Sequence, residues 1–321
     1  MIISKPMEPI KEIWTSSYTL TEQASQKERT GLLIKVLFSK GIIGYNSIQP
    51  LSHFREGMLS DYIEILKNIP SKNIQKNKQA IWIDTILQDA YMDATARSKG
   101  QSLLFGYPLI QSHYLISNIN LWNSLDEIPF NVFKIKMGSH LTKENLKLRQ
   151  IIENTKKKFQ IRLDFNEKLS KKQWDKWEKE NKDLISYIDF IEDPFVNFSY
   201  TPSFFHLAGD WCQPHHGITR VLKPSRHKLQ QILKELAISK FQRFIFTHSL
   251  SHPLEARLSW VKASQFYKIH PRKKEVCGLH YPLNFYRKND FSCFYTNFYA
   301  PLGTGLGFDS LLSRQKWIRL I

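Results

Sequence analysis

The strongest constraint on the fold is a rhythm in the sequence that starts near residue 108. From there, short apolar runs alternate with segments whose apolar residues follow helical spacing, for example over 142–157, 171–184 and 228–236. The runs that predict strands begin at Tyr114, Asn131, Gln160, Ile188, Phe204, Thr219 and Arg243. Strands that alternate with helices favour a parallel sheet, and six or more such units favour closure into a (β/α) barrel.

The first hundred residues have a different pattern. Residues 18–27 read as the approach to a strand and a polar loop, after which two apolar runs around a Ser-Lys-Gly turn predict a hairpin over 30–45. Helical spacing follows over 54–68 and 80–97. The predicted fold class is therefore α/β: a modified (β/α) TIM-type barrel over 108–299, with an α+β capping domain over 1–107. The C-terminal tail, from about residue 300 to 321, is expected to contribute to that cap.

Five charged residues each close one of the apolar runs of the predicted barrel: Lys136, Asp164, Glu192, Asp210 and Lys223. The carboxyl ends of barrel strands converge on one face, which is where active sites of this architecture lie. Residues two apart on a strand point the same way, so Lys134 accompanies Lys136, and Arg162 and Asn166 accompany Asp164. Each residue alone has a simpler reading, as a solvated lysine or a helix-capping aspartate. The five in this order, each on its own strand, favour a site.

The three carboxylates among these residues predict a divalent metal. Carboxylates that converge on one point repel one another, and a cation relieves that repulsion. Oxygen ligands suit a hard ion such as Mg²⁺, with Mn²⁺ as an alternative. The chain has three cysteines and no CxxC pair, which argues against a zinc site or a disulfide framework.

The net charge of +17 allows two kinds of partner, a nucleic acid or an anionic small molecule. The positive residues are dispersed, and a segment of alternating charge such as 168–182 is typical of a solvated helix face. A nucleic-acid surface needs exposed aromatics; Trp174 and Trp177, three apart on a predicted helix, are more simply explained as core residues. Charges within the first dozen residues leave no apolar leader, and no apolar run reaches the length of a membrane span, so a cytoplasmic location is expected. The sequence leaves the oligomeric state open.

The chain resembles the enolase superfamily in the order of its strand-end motifs, KxK, DxN, ExP, D and K. The resemblance points to the branch with lysines on the second and sixth barrel strands, the muconate-lactonizing branch, and within it to the o-succinylbenzoate synthase family. It rests on the segments 133–138 (FKIKMG), 161–166 (IRLDFN), 190–194 (FIEDP), 221–224 (VLKP), 246–250 (FTHSL) and 303–309 (GTGLGFD).

The resemblance implies a Mg²⁺-dependent carbon–oxygen lyase. The implied reaction is dehydration of 2-succinyl-6-hydroxy-2,4-cyclohexadiene-1-carboxylate to 2-succinylbenzoate, a step of menaquinone biosynthesis that passes through an enediolate. The implied roles are Lys136 and Lys223 as catalytic residues, with Asp164, Glu192 and Asp210 as metal ligands. The residues implied to bind or position substrate are Lys134, Arg162, Asn166, Thr247, His248 and Ser249.

Two alternatives stay open at this point. The same lysines would serve as the two bases of an N-acylamino acid racemase or a dipeptide epimerase of the superfamily. A basic nucleic-acid-binding protein is the second alternative, and the spacing of the tryptophans argues against it.

Overall fold

The protein was analysed as a computed structural model, which describes residues 7–23, 26–51, 56–69, 78–198, 201–210, 219–226, 243–280, 287, 290–293 and 303–321. The predicted helix over 228–236 lies outside these residues. Among the residues described, no helix combines the length and apolar character that crossing a bilayer requires.

The N-terminal region forms an antiparallel sheet covered by two helices. The strands are β1 (Ile10–Thr21), β2 (Glu28–Phe38) and β3 (Ile43–Ile48), and the helices are α1 (Leu59–Asn68) and α2 (Lys78–Ser98). The hairpin of β2 and β3 predicted from the sequence is present, with Leu37 opposite Ile43. The expectation of a loop approach over 18–27 was wrong in part, because β1 begins at Ile10 and pairs with β2 along its whole length. One short strand from the C-terminal tail, Ile318–Arg319 (β11), pairs with the outer edge of β1.

A glycine in β3 determines how closely helix α2 approaches this sheet. A Cβ on Gly44 of β3 would lie 1.8 Å from the carbonyl oxygen of Ala90 in α2. The two backbones are therefore in direct contact, and apolar residues such as Ile34, Val36 and Ile86 fill the rest of the interface.

The described residues from 114 to 246 include the parallel sheet that the sequence predicts. Its strands are β4 (Tyr114–Ile116), β5 (Val132–Lys136), β6 (Gln160–Asp164), β7 (Ile188–Glu192), β8 (Leu207–Gly209), β9 (Thr219–Leu222) and β10 (Arg243–Phe246). They pair in sequence order, every pair parallel. The helices around and after them are α3 (Leu141–Asn154), α4 (Lys171–Glu180), α5 (Pro253–Ile269), α6 (Asp290–Cys293) and α7 (Asp309–Ser313), with 3₁₀ turns over 119–121, 182–184, 224–226 and 271–273. The long helix α5 was not predicted.

Two residues close the sheet into a barrel. The N–H of Gly278 donates to the carbonyl of Phe246, 2.7 Å away, at the end of β10. On the other side, the N–H of His113 donates to the carbonyl of Cys277 over 2.7 Å, just before β4. Residues 277–278 thus act as an eighth strand between β10 and β4, and the predicted barrel fold is confirmed.

Inside the barrel the side chains form layers. Four fully buried apolar residues form a band across the interior: Phe190, Ala208, Val221 and Ile245. Each stands two positions before a residue at the C-terminal end of its strand, so strand alternation directs both members of each pair inward, one above the other. The apolar band is therefore a floor below the strand ends.

A network of ion pairs lies towards the N-terminal ends of the strands. Asp189 accepts hydrogen bonds of 2.8 Å from both Arg162 and Arg243, and Arg243 also pairs with Glu275 at 2.8 Å. Asp189 is the extra residue of a β-bulge, since Ile188 is opposite Ile161 whereas Phe190 is opposite Arg162. We call Arg162, Asp189, Arg243 and Glu275 the lower ion network.

Candidate active site

A cavity of about 510 Å³ opens at the C-terminal ends of the barrel strands. Ten of the eleven site residues predicted from the sequence line it: Lys134, Lys136, Asp164, Asn166, Glu192, Asp210, Lys223, Thr247, His248 and Ser249. The fold brings them together because parallel strands end on the same face of the barrel.

Lysines and carboxylates alternate along one side of this cavity. Nζ of Lys134 lies 2.9 Å from Asp164 Oδ2 and 2.7 Å from Glu192 Oε2, and so bridges two strands. Nζ of Lys136 lies 3.7 Å from the same oxygen of Asp164. Further along the ring of strands, past the end of β9, Lys223 donates a short hydrogen bond to Asp210. The two lysines predicted to be catalytic therefore each contact one of the predicted metal ligands.

The charges alter the pKa values of the acids in opposite directions. Burial would raise the pKa of Asp164, but the ammonium groups of Lys134 and Lys136 outweigh it and hold that pKa below its usual range. Burial raises the pKa of Glu192, and the neighbouring carboxylates of Asp164 and Asp210 add to the increase although Lys134 opposes it. The carboxylates are thus close enough to repel one another and to raise the pKa of Glu192.

Asp193 belongs to the acidic cluster and was not predicted from the sequence as a ligand. Carboxylate oxygens of Glu192, Asp193 and Asp210 lie within 4.8 Å of one another. Burial raises the pKa of Asp193 to about 8, with Glu192 and Asp210 as further causes. Its backbone has a φ of 45°, in the left-handed region that non-glycine residues seldom adopt. The signal in the sequence was its place directly after Glu192.

These side chains fit a divalent cation. They offer buried oxygen donors from adjacent strand ends, and they repel one another in a way that positive charge relieves. Asp164 stands outside the compact group of three, and its Oδ1 accepts a 2.6 Å hydrogen bond from the amide of Asn166. The structure therefore offers two sets of ligands, Glu192 and Asp210 with either Asp164 or Asp193.

Arg162 is the one predicted site residue that is not part of the cavity lining. It points inward like Asp164 but one layer lower, where it is 1% exposed and its guanidinium lies 4.8 Å above the ring of Phe190. Its Nη1 donates to the carbonyl of Val276 at 2.6 Å and is 3.1 Å from Nδ1 of His113. Its predicted contact with substrate stays a prediction.

Another wall of the cavity is a tight turn after β10. Nδ1 of His248 accepts a 3.0 Å hydrogen bond from the N–H of Leu250, and its Nε2 is 3.0 Å from the carbonyl of His280. Burial lowers the pKa of His248 to about 4, so the ring is neutral. Leu250 has a φ of 51°, a strained conformation for a leucine. The ring of His248 thus holds the turn at Leu250 and ties it to the backbone at His280.

Nine further lining residues were missed. Three directly follow predicted residues, namely Glu167, Asp193 and Leu250. The others come from segments whose meeting the sequence does not reveal: Glu22, Arg29, His113, Leu115, Gly278 and His280. Glu22 and Arg29 flank the turn between β1 and β2, pair with each other at 2.5 Å and bring the N-terminal sheet to the cavity. Positive φ values at Asn166 and Glu167 mark a further strained strand end. No sequence period identifies such positions.

The exposed aromatic surface that a nucleic-acid partner would need is not found on α4. Trp174 and Trp177 are 0% and 2% exposed and stack on each other with their ring centroids 5.7 Å apart. The prediction that both belong to the core is confirmed, and the alternative of a nucleic-acid-binding protein loses its best candidate surface.

Comparison with known proteins bears out the resemblance. No family model matches the chain. The chain is 26% identical over 201 residues to o-succinylbenzoate synthase of Bdellovibrio bacteriovorus, a match that covers 60% of this chain and 55% of that protein. The match thus spans only about half the length of the relative.

Solved structures share the fold. O-succinylbenzoate synthase of Thermosynechococcus elongatus, solved with Mg in its active site, superimposes with a TM-score of 0.65 at 14% identity, covering 87% of this chain and 95% of that one. N-succinyl Arg/Lys racemase of Bacillus cereus gives 0.70 at 13% identity, covering 86% and 88%. Dipeptide epimerase of Enterococcus faecalis gives 0.67 at 13%, covering 88% and 92%. The sequence match to a named synthase, together with this shared fold, bears out the prediction of an enzyme.

Proposed function

We propose that this chain is an o-succinylbenzoate synthase, which dehydrates 2-succinyl-6-hydroxy-2,4-cyclohexadiene-1-carboxylate to 2-succinylbenzoate. The observation that carries the proposal is the placement of Lys136 and Lys223. They stand at the ends of β5 and β9, four strands apart in a ring of eight, and both line the same cavity. A carbon atom held between them has an amine on each face, with carboxylates of the intervening strands beside it.

The roles of the two lysines follow from this placement. Lys136 takes the proton from the carbon next to the substrate carboxylate and then returns a proton to the departing hydroxyl group. One C–H and one C–O bond break, a C=C bond completes the aromatic ring, and water leaves, so no oxidant or reductant is needed. Lys223 stays protonated and stabilises the negative charge that develops at the reacting centre.

Glu192 and Asp210, with Asp164 or Asp193, would hold the divalent metal. When bound there, the ion supplies positive charge beside the substrate carboxylate, which makes the neighbouring proton more acidic. Lys134 orients Asp164 and Glu192 by bridging them, and Asn166 orients Asp164 from the other side.

The similarity to a named o-succinylbenzoate synthase in sequence, and to one solved with Mg in fold, supports the proposal. A small anionic substrate also suits a chain with a net charge of +17. The proposed reaction would take place in the cytoplasm, which is the location predicted from the sequence.

Racemisation is the second candidate, because amines on opposite faces of one carbon also suit removal of a proton from one side and its return to the other. A racemase and an epimerase share the fold at equal or higher structural similarity. The fold alone does not separate these activities from dehydration.

The deciding experiment offers both substrates to the purified protein with Mg²⁺. We expect 2-succinylbenzoate to form from the cyclohexadiene acid, as followed by chromatography. In parallel, an N-succinylamino acid is incubated in D₂O, and exchange of its α-hydrogen is followed by NMR. Racemisation with deuterium uptake and no dehydration would overturn the proposal in favour of the racemase.

A further inference from the structure

A histidine on the wall opposite the carboxylates faces the cavity in a fixed protonation state. His113 precedes β4, is 4% exposed, and lines the cavity together with Gly278 and His280. Residues 277–278 stand four strands from β7 in the closed ring, so this wall is the farthest from Glu192.

Arg162 determines which nitrogen of His113 carries the hydrogen. A guanidinium group only donates hydrogen bonds and stays protonated in proteins. Because Nη1 of Arg162 is 3.1 Å from Nδ1 of His113, that nitrogen must accept, and the hydrogen of the neutral ring sits on Nε2. Arg162 itself is held by Asp189 and by the carbonyl of Val276.

Positive charge and burial keep this ring neutral. Burial lowers the pKa of His113 well below its usual value, and the cations of Arg162 and Lys134 lower it further. The neutral ring therefore presents an N–H donor on one edge.

A glycine packs closely beside the donor edge of the ring, where any side chain would clash with it. A Cβ on Gly278 would lie 2.6 Å from Nε2 of His113 and 2.7 Å from the methyl group of Thr247. Gly278 has an ordinary backbone conformation here, so the lack of a side chain serves space rather than φ. Among the described residues, none accepts a hydrogen bond from this Nε2, and the space in front of it belongs to the cavity.

We propose that Nε2–H of His113 binds an oxygen of the substrate's acyl side chain, in a tautomer set by Arg162. The group lies across the cavity from the metal-type carboxylates, so it serves the end of the substrate away from the reacting carboxylate. The inference rests on the proposed function for the identity of the acid, but the same donor serves any substrate that carries a succinyl-like chain. It makes Arg162 a positioning residue that acts through His113.

The first test measures binding of two stable acids, 2-succinylbenzoate and benzoate, which lacks the acyl chain. In His113→Phe, the Kd of 2-succinylbenzoate is expected to rise about 10- to 100-fold, as for loss of one hydrogen bond to a charged or strongly polar oxygen. Benzoate binding changes less than about twofold. His113→Gln, which keeps a donor near the position of Nε2, stays within a few-fold of the wild type. The exposed His206→Phe is the matched control and leaves both constants unchanged.

The second test reads the tautomer directly. In protein labelled with ¹⁵N histidine, His113 is expected to show a protonated Nε2 and an unprotonated Nδ1. Arg162→Met, checked for folding by circular dichroism, is expected to relax this preference and to weaken 2-succinylbenzoate more than benzoate. An Nδ1–H ring in the wild type overturns the inference, and so does a folded His113→Phe that weakens both acids equally or neither.

The outcomes separate this inference from the proposed function. If dehydration is absent but the binding ratios are as expected, the proposed reaction fails and the role of His113 stands. If dehydration occurs and His113→Phe leaves the KM and both Kd values normal, only the role of His113 fails. In an active enzyme, we expect His113→Phe to raise KM far more than it lowers kcat.

Discussion

The barrel interior holds two sets of ion pairs, and they differ in what surrounds them. At the strand ends, the lysines and carboxylates line a cavity and share partners, and the pKa values of Asp164, Glu192 and Asp193 are shifted by burial and by neighbouring charges. In the lower ion network, Asp189 and Glu275 are matched with two arginines. The apolar band of Phe190, Ala208, Val221 and Ile245 lies beneath the first set. The same residue types satisfy one another where protein groups surround them, and they form a candidate site where they face open space.

The largest effect is expected from the lysines at the strand ends. Lys136→Ala or Lys223→Ala should lower kcat for dehydration by about 10³-fold or more, since proton transfer by a positioned group contributes about 10²–10⁴-fold. Steady-state kinetics of the folded variants measures this. Exposed Lys176→Ala is the control, and near-normal turnover in both active-site variants would contradict the roles given to them.

The lower ion network should affect stability instead. Arg243→Met leaves Asp189 and Glu275 with fewer partners and should lower the free energy of unfolding by about 1–3 kcal/mol, less than for a fully buried pair because the groups are partly exposed. Urea unfolding measures the loss. Adding Glu275→Gln should recover part of it, while kcat of the folded enzyme stays within about twofold. A large loss of kcat with unchanged stability would erase the distinction between the two sets.

Metal binding should stabilise the folded protein through the carboxylates at the strand ends and not through the lower ion network. Millimolar Mg²⁺ is expected to raise the melting temperature of the wild type by a few degrees, because a ligand that binds the folded state stabilises it. Glu192→Gln and Asp210→Asn should abolish the shift. Comparing Asp164→Asn with Asp193→Asn identifies the third ligand by which variant loses the shift. A wild type that Mg²⁺ does not stabilise speaks against a metal site.

Acid should act on the buried histidines and on the lower ion network over different pH ranges. Burial lowers the pKa of His252 to about 3 and those of His248 and His280 to about 4. Because the unfolded chain binds these protons near pH 6.5, stability falls as pH drops from about 6.5 towards 4, by about 1 kcal/mol per unit for each histidine. Asp189 behaves otherwise: burial would raise its pKa, but Arg243 and Arg162 outweigh burial and lower it. Its contribution is present above the unfolded pKa near 4 and is lost only below it.

His252→Asn is the variant that tests this assignment. Asparagine can still cap α5 as the Nδ1 of His252 does, but it does not titrate. Urea unfolding at pH 7 and pH 5 should show a smaller loss of stability in the variant than in the wild type. An identical loss in both proteins would show that the buried ring of His252 does not contribute.

The sequence alone was enough to place the strand ends and their charges. Strand alternation and strand order are local properties, so Lys136, Asp164, Glu192, Asp210 and Lys223 could be assigned to one face of the barrel from their positions along the chain. The same local rule put Arg162 on the inner side of its strand, and it does point inward. Strand alternation does not predict how far along the barrel axis a side chain lies, and Arg162 lies one layer below the cavity.

Only the tertiary structure decided how the opposite wall is built. His113 meets Arg162 and Gly278 because residues 277–278 close the ring, and Glu22 and Arg29 reach the cavity because the N-terminal hairpin is placed against it. A bulge of one residue turns Asp189 towards two arginines, and a left-handed φ brings Asp193 into the acidic cluster. Contacts of this kind depend on strand register, backbone strain and the meeting of segments far apart in the chain. A sequence period describes one segment at a time and carries no information about them.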